Sequence, residues 1–429
     1  MHRKALRGRR WSLSAALTTT TALCCLAAQP VYAEPTMEEM WETIQKQQKQ
    51  IDALTQQLKK ADAKVEATDA KVEATAAAVE TASMASGTMQ SGGWWDRTSL
   101  GGYGELHYNG GNTDRLDFHR FVLFVGHQFN DRLRLHTELE LEHALSADTA
   151  DGSGPGEVEL EQAWLEYDFT SQVSGRAGLY ILPVGILNET HEPPTFYGVE
   201  RNRVESNIIP STWWEGGAGV TYRLANGLQI DGHVHGGLNV PIAGGNAFRI
   251  RSGRQKVAQS TLREPAFTGR IKYTGIPGVE LATSFQYQTD ITQNDPGDPK
   301  TSATLWEAHA VVDRAVTPDI RVGLRALYAR WDLNGSAAAV VGRDQQYGWY
   351  VEPSVRFATV AGDVGLFGRY SEDDNTAGDG VASKFKQISI GSNYWIHPNA
   401  VLKLEYEFQE PPPGSVDDDK LHLGIGFQF

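Results

Sequence analysis

The chain has 429 residues, with 53 acidic against 39 basic side chains, a net charge of −14 and 44 glycines. That balance argues against nucleic acid as a partner. It carries 11 Trp, 15 Tyr and 15 Phe, yet no run of 18 apolar residues follows the first 33, which excludes helical membrane spans.

Residues 1–33 read as a secretion signal. Arg3, Lys4, Arg7, Arg9 and Arg10 head an apolar stretch from about Leu13 to Ala28, and Val31-Tyr32-Ala33 has the small-residue pattern of a cleavage site. The apolar run is too short for a spanning helix. Cys24 and Cys25 both lie within it, without a lipoprotein box, so the mature chain needs neither disulfides nor thiolate metal sites. Losing five basic residues takes the net charge from −14 to −19.

Residues 34–83 read as an α-helical coiled coil. Met37, Ile44, Ile51, Leu58, Val65, Val72 and Val79 recur every seven residues, with Met40, Leu54, Ala61 and Ala82 at some of the positions three further on. A parallel partner would bring Lys64 of one chain near Asp69 of the next. Gln47, Thr68 and Thr75 thin the seam, so a solvated single helix is the competing reading, and the seam does not choose between two strands and three. Residues 84–98, with Gly87 to Gly93, read as a flexible linker.

From residue 99 to 429 the period changes to two. Leu133, Leu135, Leu139 and Leu141 alternate with Arg134, His136, Glu138 and Glu140; Leu402, Leu404, Tyr406 and Phe408 alternate with Lys403, Glu405 and Glu407. Tight turns are expected at Asn130-Asp131, Thr170-Ser171, Asn226-Gly227, Ile276-Pro277-Gly278, Thr317-Pro318-Asp319, Ala361-Gly362 and Pro398-Asn399. Longer polar connections lie between them, near 110–117, 145–156, 183–212, 240–262, 290–302, 332–345, 371–383 and 409–420. Seven short turns and eight long loops make sixteen antiparallel strands, the even count of a transmembrane β-barrel. Tyr394, Trp395, Phe427 and Phe429 beside short turns, and Trp331, Tyr347 and Trp349 beside a long loop, suggest two interfacial aromatic girdles. The last stretch, "LHLGIGFQF", reads as strand sixteen closing on strand one near Tyr103, with Gly424 and Gly426 leaving its inner face bare.

The stretches "GGYGELHYN", "DFHRFVLFVGHQFNDRLRLHTELELEH", "GEVELEQAWLEYDF" and "LPVGILNETHEPPTFYGVERNRVESNIIPSTWWEGG" together resemble the phosphate-selective porin O/P family of Gram-negative bacteria. The resemblance covers most of Gly101 to Phe429. It implies outer-membrane homotrimers of sixteen-stranded barrels, each with a pore narrowed by its longest loop, here about 183–212. The terminal strand resembles the signal read by the barrel assembly machinery, carried by Phe427 and Phe429. One departure matters: the constriction segment has no lysine, so a phosphate preference is not implied for this chain.

Pore chemistry is electrostatic, and charge rings select while width limits size. The alternation aims Arg134, Glu138, Glu140, Arg176, Arg270, Lys272, Arg321 and Arg325 at the lumen. Within the constriction loop Glu189, His191, Glu192, Glu200, Arg201, Arg203 and Glu205 either pin the loop to the wall or meet the solute. His191-Glu192 is no metalloprotease site, because no second His follows at helical spacing and Pro193-Pro194 forbids the helix. His233 and His235 share one face and would need a third ligand to hold Zn²⁺ or Cu²⁺; no metal site and no cofactor are expected. Asp417-Asp418-Asp419 and Glu372-Asp373-Asp374 on external loops offer carboxylates near lipopolysaccharide, and read more simply as solvated acidic loops. No nucleophile elbow, P-loop or dinucleotide fingerprint occurs, so no enzyme is expected, a barrel lipase included. The expected function is passive diffusion of small hydrophilic solutes and ions, with the arm in the periplasm. The alternative is a structural tether whose coiled coil binds peptidoglycan.

Overall fold

The computed structural model describes residues 93–144, 156–295 and 299–429, together with helical Trp41, Gln45, Lys46, Gln48, Lys49 and Asp52. The expected signal, nearly all of the coiled-coil seam and most of the linker lie outside the described residues. The chain divides into one unit over Met1–Gln90 and another over Ser91–Phe429.

The second unit is a closed antiparallel barrel of sixteen strands. They are β1 (Thr98–Gly110), β2 (Arg115–Gln128), β3 (Leu133–Glu142), β4 (Val158–Asp168), β5 (Val173–Ile181), β6 (Trp214–Arg223), β7 (Leu228–His235) and β8 (Ala266–Ile276), then β9 (Val279–Gln288), β10 (Ser302–Thr317), β11 (Ile320–Asn334), β12 (Gln345–Thr359), β13 (Gly362–Asp374), β14 (Phe385–His397), β15 (Ala400–Glu410) and β16 (Lys420–Gln428). Each strand pairs with its sequence neighbours, and β16 closes on β1 with Gln428 opposite Tyr103. Closure leaves no sheet edge unpaired, which is what hydrocarbon demands of a backbone.

The short turns form where the sequence offers local hydrogen-bond acceptors. The Asn130 side-chain oxygen accepts from the backbone of Arg132 and Leu133 at 2.9 and 3.0 Å, and the Thr170 hydroxyl accepts from Gln172 and Val173 at 3.1 and 3.0 Å. Gly227 (φ 85°) and Gly278 (φ 71°) take the left-handed conformation that two further turns require.

Period two then sorts the wall. On β15, Val401, Lys403, Glu405 and Glu407 are buried inside, while Leu402, Leu404, Tyr406 and Phe408 are exposed outside. A belt of exposed leucine, isoleucine, valine and aromatic side chains covers the other strands in the same way. So large an apolar exterior on a water-soluble barrel would aggregate; against lipid it is the stable arrangement. Among the described residues no helix is long and apolar enough to cross a membrane.

Two of the expected girdle residues point the other way. Trp331 is fully buried and donates its indole N–H to the Ile208 carbonyl at 2.9 Å. Trp395 donates to the Pro194 carbonyl at 3.0 Å. Adjacent strand residues face opposite sides, so Tyr394 and Trp395 could not share a lipid girdle. Both tryptophans hold a loop inside the barrel.

Candidate functional site

Among the described residues, two long loops pack against the inner wall of the barrel. The first, 182–213, joins β5 to β6 and contains a 3₁₀ turn at Pro193–Thr195 and a π-helical turn at Val204–Ile208. Prolines at the start of the 3₁₀ turn supply a preset φ and lack N–H groups the turn could not satisfy. The loop's backbone is held by wall side chains. Glu405 accepts from Val199 N at 2.8 Å, Lys403 donates to Gly198 O at 2.7 Å, Asn393 to Phe196 O at 3.2 Å and Arg325 to Thr195 O at 2.6 Å. The bare inner face of β16 receives the same segment. A Cβ at Gly426 would lie 2.3 Å from the Pro193 Cβ, and one at Gly424 would lie 3.1 Å from Val199.

The loop's charged side chains reach the wall as well. Glu189 pairs with Arg270, which also meets Asp231 at 2.8 Å. Glu200 accepts from Asn109 at 2.8 Å and lies 3.0 Å from His107. Arg203 forks onto Asp373 at 2.9 and 3.1 Å and stacks 3.6 Å over Phe385. Glu205 is fully buried, accepting from Ile186 N, Leu187 N and the Tyr350 hydroxyl at 2.8, 2.6 and 2.6 Å. Burial pushes the Glu205 carboxyl up, and those three donors hold it back. For Glu200, burial also raises the carboxyl, but the hydrogen bond and charge of His107 outweigh it and leave the group well below the usual range. Glu192 is half-buried. His191 is buried against Glu138.

The second loop, 236–265, joins β7 to β8. Read as a polar connection, it proves to be amphipathic. Leu238, Val240, Ala247, Phe248 and Ile250 are buried against Val204, Ile208, Ile209 and Trp213 of the first loop and against Leu305, Leu327, Ala329, Trp331 and Tyr350 of the wall. Its cations stay on the open side. Arg251 donates to Ser206 O and Ser211 O at 2.5 and 3.1 Å, Arg254 to Thr212 O at 2.6 Å, and Lys256 pairs with Glu157 at 2.9 Å and with Glu159. Burial and the neighbouring Arg254, Arg201 and Arg249 push Arg251 down to about 9. These four cations in "FRIRSGRQK" carry the signal that alternation misses: charges interleaved with Phe248 and Ile250 inside a loop.

Between the first loop, the second loop and strands β1 to β4 lies a cavity of about 230 Å³. Glu105, Glu142, Glu159, Glu161 and Glu200 face it together with Arg120, Arg201, Arg251, Arg254 and Lys256. Five carboxylates against five cations make a two-sign slot rather than a ring of one sign. Two β-bulges help build it. The β1–β2 register shifts after Glu105↔Arg120, so His119 and Arg120, adjacent in sequence, both turn inward. The β3–β4 register shifts after Glu138↔Gln162, so Glu161 and Gln162 do the same. Strict alternation puts only one of each pair inside, which is why His119, Arg120 and Glu161 were not among the expected residues.

The expected wall residues are dispersed. Glu138 and Glu140 are buried near the slot. Arg134 holds Glu166 and Asp168 at 3.0 and 2.6 Å, Lys272 meets Glu280 at 3.7 Å, and Arg321 meets Asp313 at 3.0 Å. Arg176 lies 4.9 and 5.8 Å over Trp164 and Tyr180. Arg325 lines a second, smaller cavity of about 160 Å³ with Arg321 and Tyr197. His233 and His235 acquire no third ligand among the described residues, and His235 bonds Thr268 at 2.8 Å. Phe429 pairs its backbone with Gly102 at 2.9 and 3.0 Å and stacks on Phe121.

No protein-family model matches the chain. It is 29% identical over 357 residues to an uncharacterised protein of Aquifex aeolicus, covering 77% of this chain and 80% of that one. Among solved structures it is similar to OprB of Pseudomonas putida (TM-score 0.56, 12% identity, 78% of this chain and 95% of that). It is also similar to OmpF of Salmonella typhi (0.52, 17%, 77% and 97%) and to an anion-selective porin of Comamonas acidovorans (0.51, 12%, 77% and 99%). The fold is that of a porin barrel.

Proposed function

We propose that this chain is a passive diffusion porin of the Gram-negative outer membrane, admitting small hydrophilic solutes and ions past a constriction formed by the 182–213 and 236–265 loops. The observation that carries this reading is the charged slot beside two loops, inside a barrel whose exterior is apolar. The slot's balanced charges favour dipolar and weakly charged solutes over strong selection of one ion. In this reading the resemblance to the phosphate-selective O/P porins covers the barrel and its constriction loop, and their phosphate preference is not carried over. Arg134, Arg176, Lys272, Arg321 and Arg325 line the path as wall groups, Glu138, Glu140 and Arg270 lie buried behind the loops, and Glu200 and Arg201 meet the solute. No step of covalent chemistry is part of this reading.

In the same proposal the barrels form homotrimers, Phe427 and Phe429 present the assembly signal, and the 34–83 arm is a periplasmic coiled coil. Liposome swelling tests the channel. Purified barrels should admit small sugars and amino acids at rates that fall with solute size; liposomes that remain impermeable to all of them would refute it. Deleting residues 34–92 tests the arm. Loss of trimers marks it as an assembly device, whereas intact trimers with a detached envelope mark it as a tether to peptidoglycan.

A further inference from the structure

Glu138, Glu161 and His191 converge with one ligand atom each, all within 4.8 Å of one another, and all three are buried. His191 Nδ1 lies 3.2 Å from the Asn188 carbonyl, to which only an N–H can donate, so Nε2 is the atom presented to the carboxylates. It stands 3.4 Å from Glu138 Oε1 and 4.0 Å from Glu161 Oε2. Charge-assisted hydrogen bonds close to about 2.7–2.9 Å, so these gaps are too wide for a direct imidazolium clasp. They approach the spacing of donors around one tetrahedral ion, about 3.3–3.6 Å for bonds of about 2.0–2.2 Å, and a small closing of the Glu161 gap completes the set.

The surroundings point to the same occupant. Glu161 is 1% exposed and its Oε2 has no hydrogen-bond partner. Each carboxylate is oriented through its other oxygen: Gln162 donates to Glu138 Oε2 at 2.6 Å, and the Thr212 hydroxyl donates to Glu161 Oε1 at 2.8 Å. A ligating histidine whose second nitrogen donates to a backbone carbonyl, beside carboxylates with their own donors, is the usual outer shell of a metal site. The one deeply buried guanidinium nearby, Arg120, is taken by Glu105 at 2.8 Å and Glu140 at 3.2 Å. Among the described residues no lysine or arginine lies within 4.0 Å of Glu138 or Glu161. Metal binding would take both carboxylates deprotonated and the imidazole neutral, and a divalent ion would balance the two negative charges.

We propose that Glu138, Glu161 and His191 bind one divalent transition-metal ion of the Zn²⁺ class, which joins the 182–213 loop to strands β3 and β4. Two neighbouring clusters fit less well. In the His107–His119–Glu200 group, both His107 nitrogens already face carboxylates, Glu105 at 3.1 Å and Glu200 at 3.0 Å. His119, shared with the Asp117–His143 group, accepts an Arg120 N–H on Nε2 at 2.7 Å. A cation would have to displace that guanidinium.

The test uses the purified full-length protein, stripped with a chelator, dialysed against Zn²⁺ and passed over a desalting column. Bound zinc should be one per barrel, and X-ray absorption should show one imidazole among oxygen ligands. Glu161→Gln and His191→Ala should each lose the bound zinc, Thr212→Ala should bind at least about tenfold more weakly, and His143→Ala should bind as the parent does. Heat-modifiable migration establishes that each variant has folded. Should Glu161→Gln not fold, His191→Ala, altered in a loop rather than a strand, carries the comparison alone. No stoichiometric zinc on the parent protein, unchanged binding in folded His191→Ala, or a spectrum with two or more imidazoles would overturn the proposal.

Discussion

The two sides of the lumen are built on opposite principles. Toward β10 to β12 the inner wall is apolar, and Leu305, Leu327, Trp331 and Tyr350 pack against both loops as a core packs in a soluble protein. Toward β1 to β4 the inner wall is charged, and the loops meet it through polar side chains such as Glu200 and Thr212 around the slot. In the proposed channel this difference would set the shape of the pore inside a barrel of fixed circumference. Strand number sets the outer width, and a one-sided dry core decides how much of that width stays wet. The dry side needs shape complementarity and the wet side needs counter-charges, so substitutions on the two sides should read out differently.

The largest effect is expected on the dry side. Trp331→Ala removes a fully buried indole that packs at a tilt against Trp213 and donates to Ile208 O. Loss of such a side chain costs about 3–5 kcal/mol of packing. The barrel's own ladder is untouched, so that cost falls on the loops. Planar-bilayer recordings should show larger, noisier conductance from a barrel that still migrates as folded. Conductance equal to the parent's would mean the loops do not depend on this core.

The wet side should answer in selectivity instead. Arg251→Glu with Arg254→Glu turns a slot of balanced sign into an acidic one, and the cation-to-anion permeability ratio should rise several-fold with little change in conductance. An unchanged reversal potential would place the ion path elsewhere. A smaller effect is expected where the loop meets β16. Gly426→Ala puts a Cβ 2.3 Å from Pro193 and should displace the 193–200 segment at a cost of about 1–3 kcal/mol, seen as altered conductance. Smallest of all, Arg321→Ala breaks a half-exposed pair with Asp313 and should change thermal stability by only about 0–1 kcal/mol.

The barrel was legible because its determinants are local and periodic. Leu402 to Phe408 announce a two-faced strand, and Asn226-Gly227 announces a tight turn, whatever the rest of the chain does. All sixteen strands and the β16–β1 closure follow from repeating that reading. The slot was less legible because its determinants are not periodic. The bulges at His119 and Glu161 break the alternation that aims side chains, and nothing in "DFHRF" or "ELEQA" marks the extra residue. The π-helical turn in "VESNI" and the inward fold of "NAFRIRSGRQK" depend on contacts with Trp331 and Tyr350, more than 70 residues away in the chain. Trp395 was misplaced for a related reason: proximity to a turn says nothing about which face a residue takes.

A two-sign slot beside a dry core should form an open, weakly selective channel. Single-channel recording of the full-length protein across a planar bilayer, with reversal potential read in a salt gradient, tests it most directly. Steady ohmic openings and a reversal potential close to zero are expected. A silent barrel, or a reversal potential near the ideal limit for one ion, would contradict it.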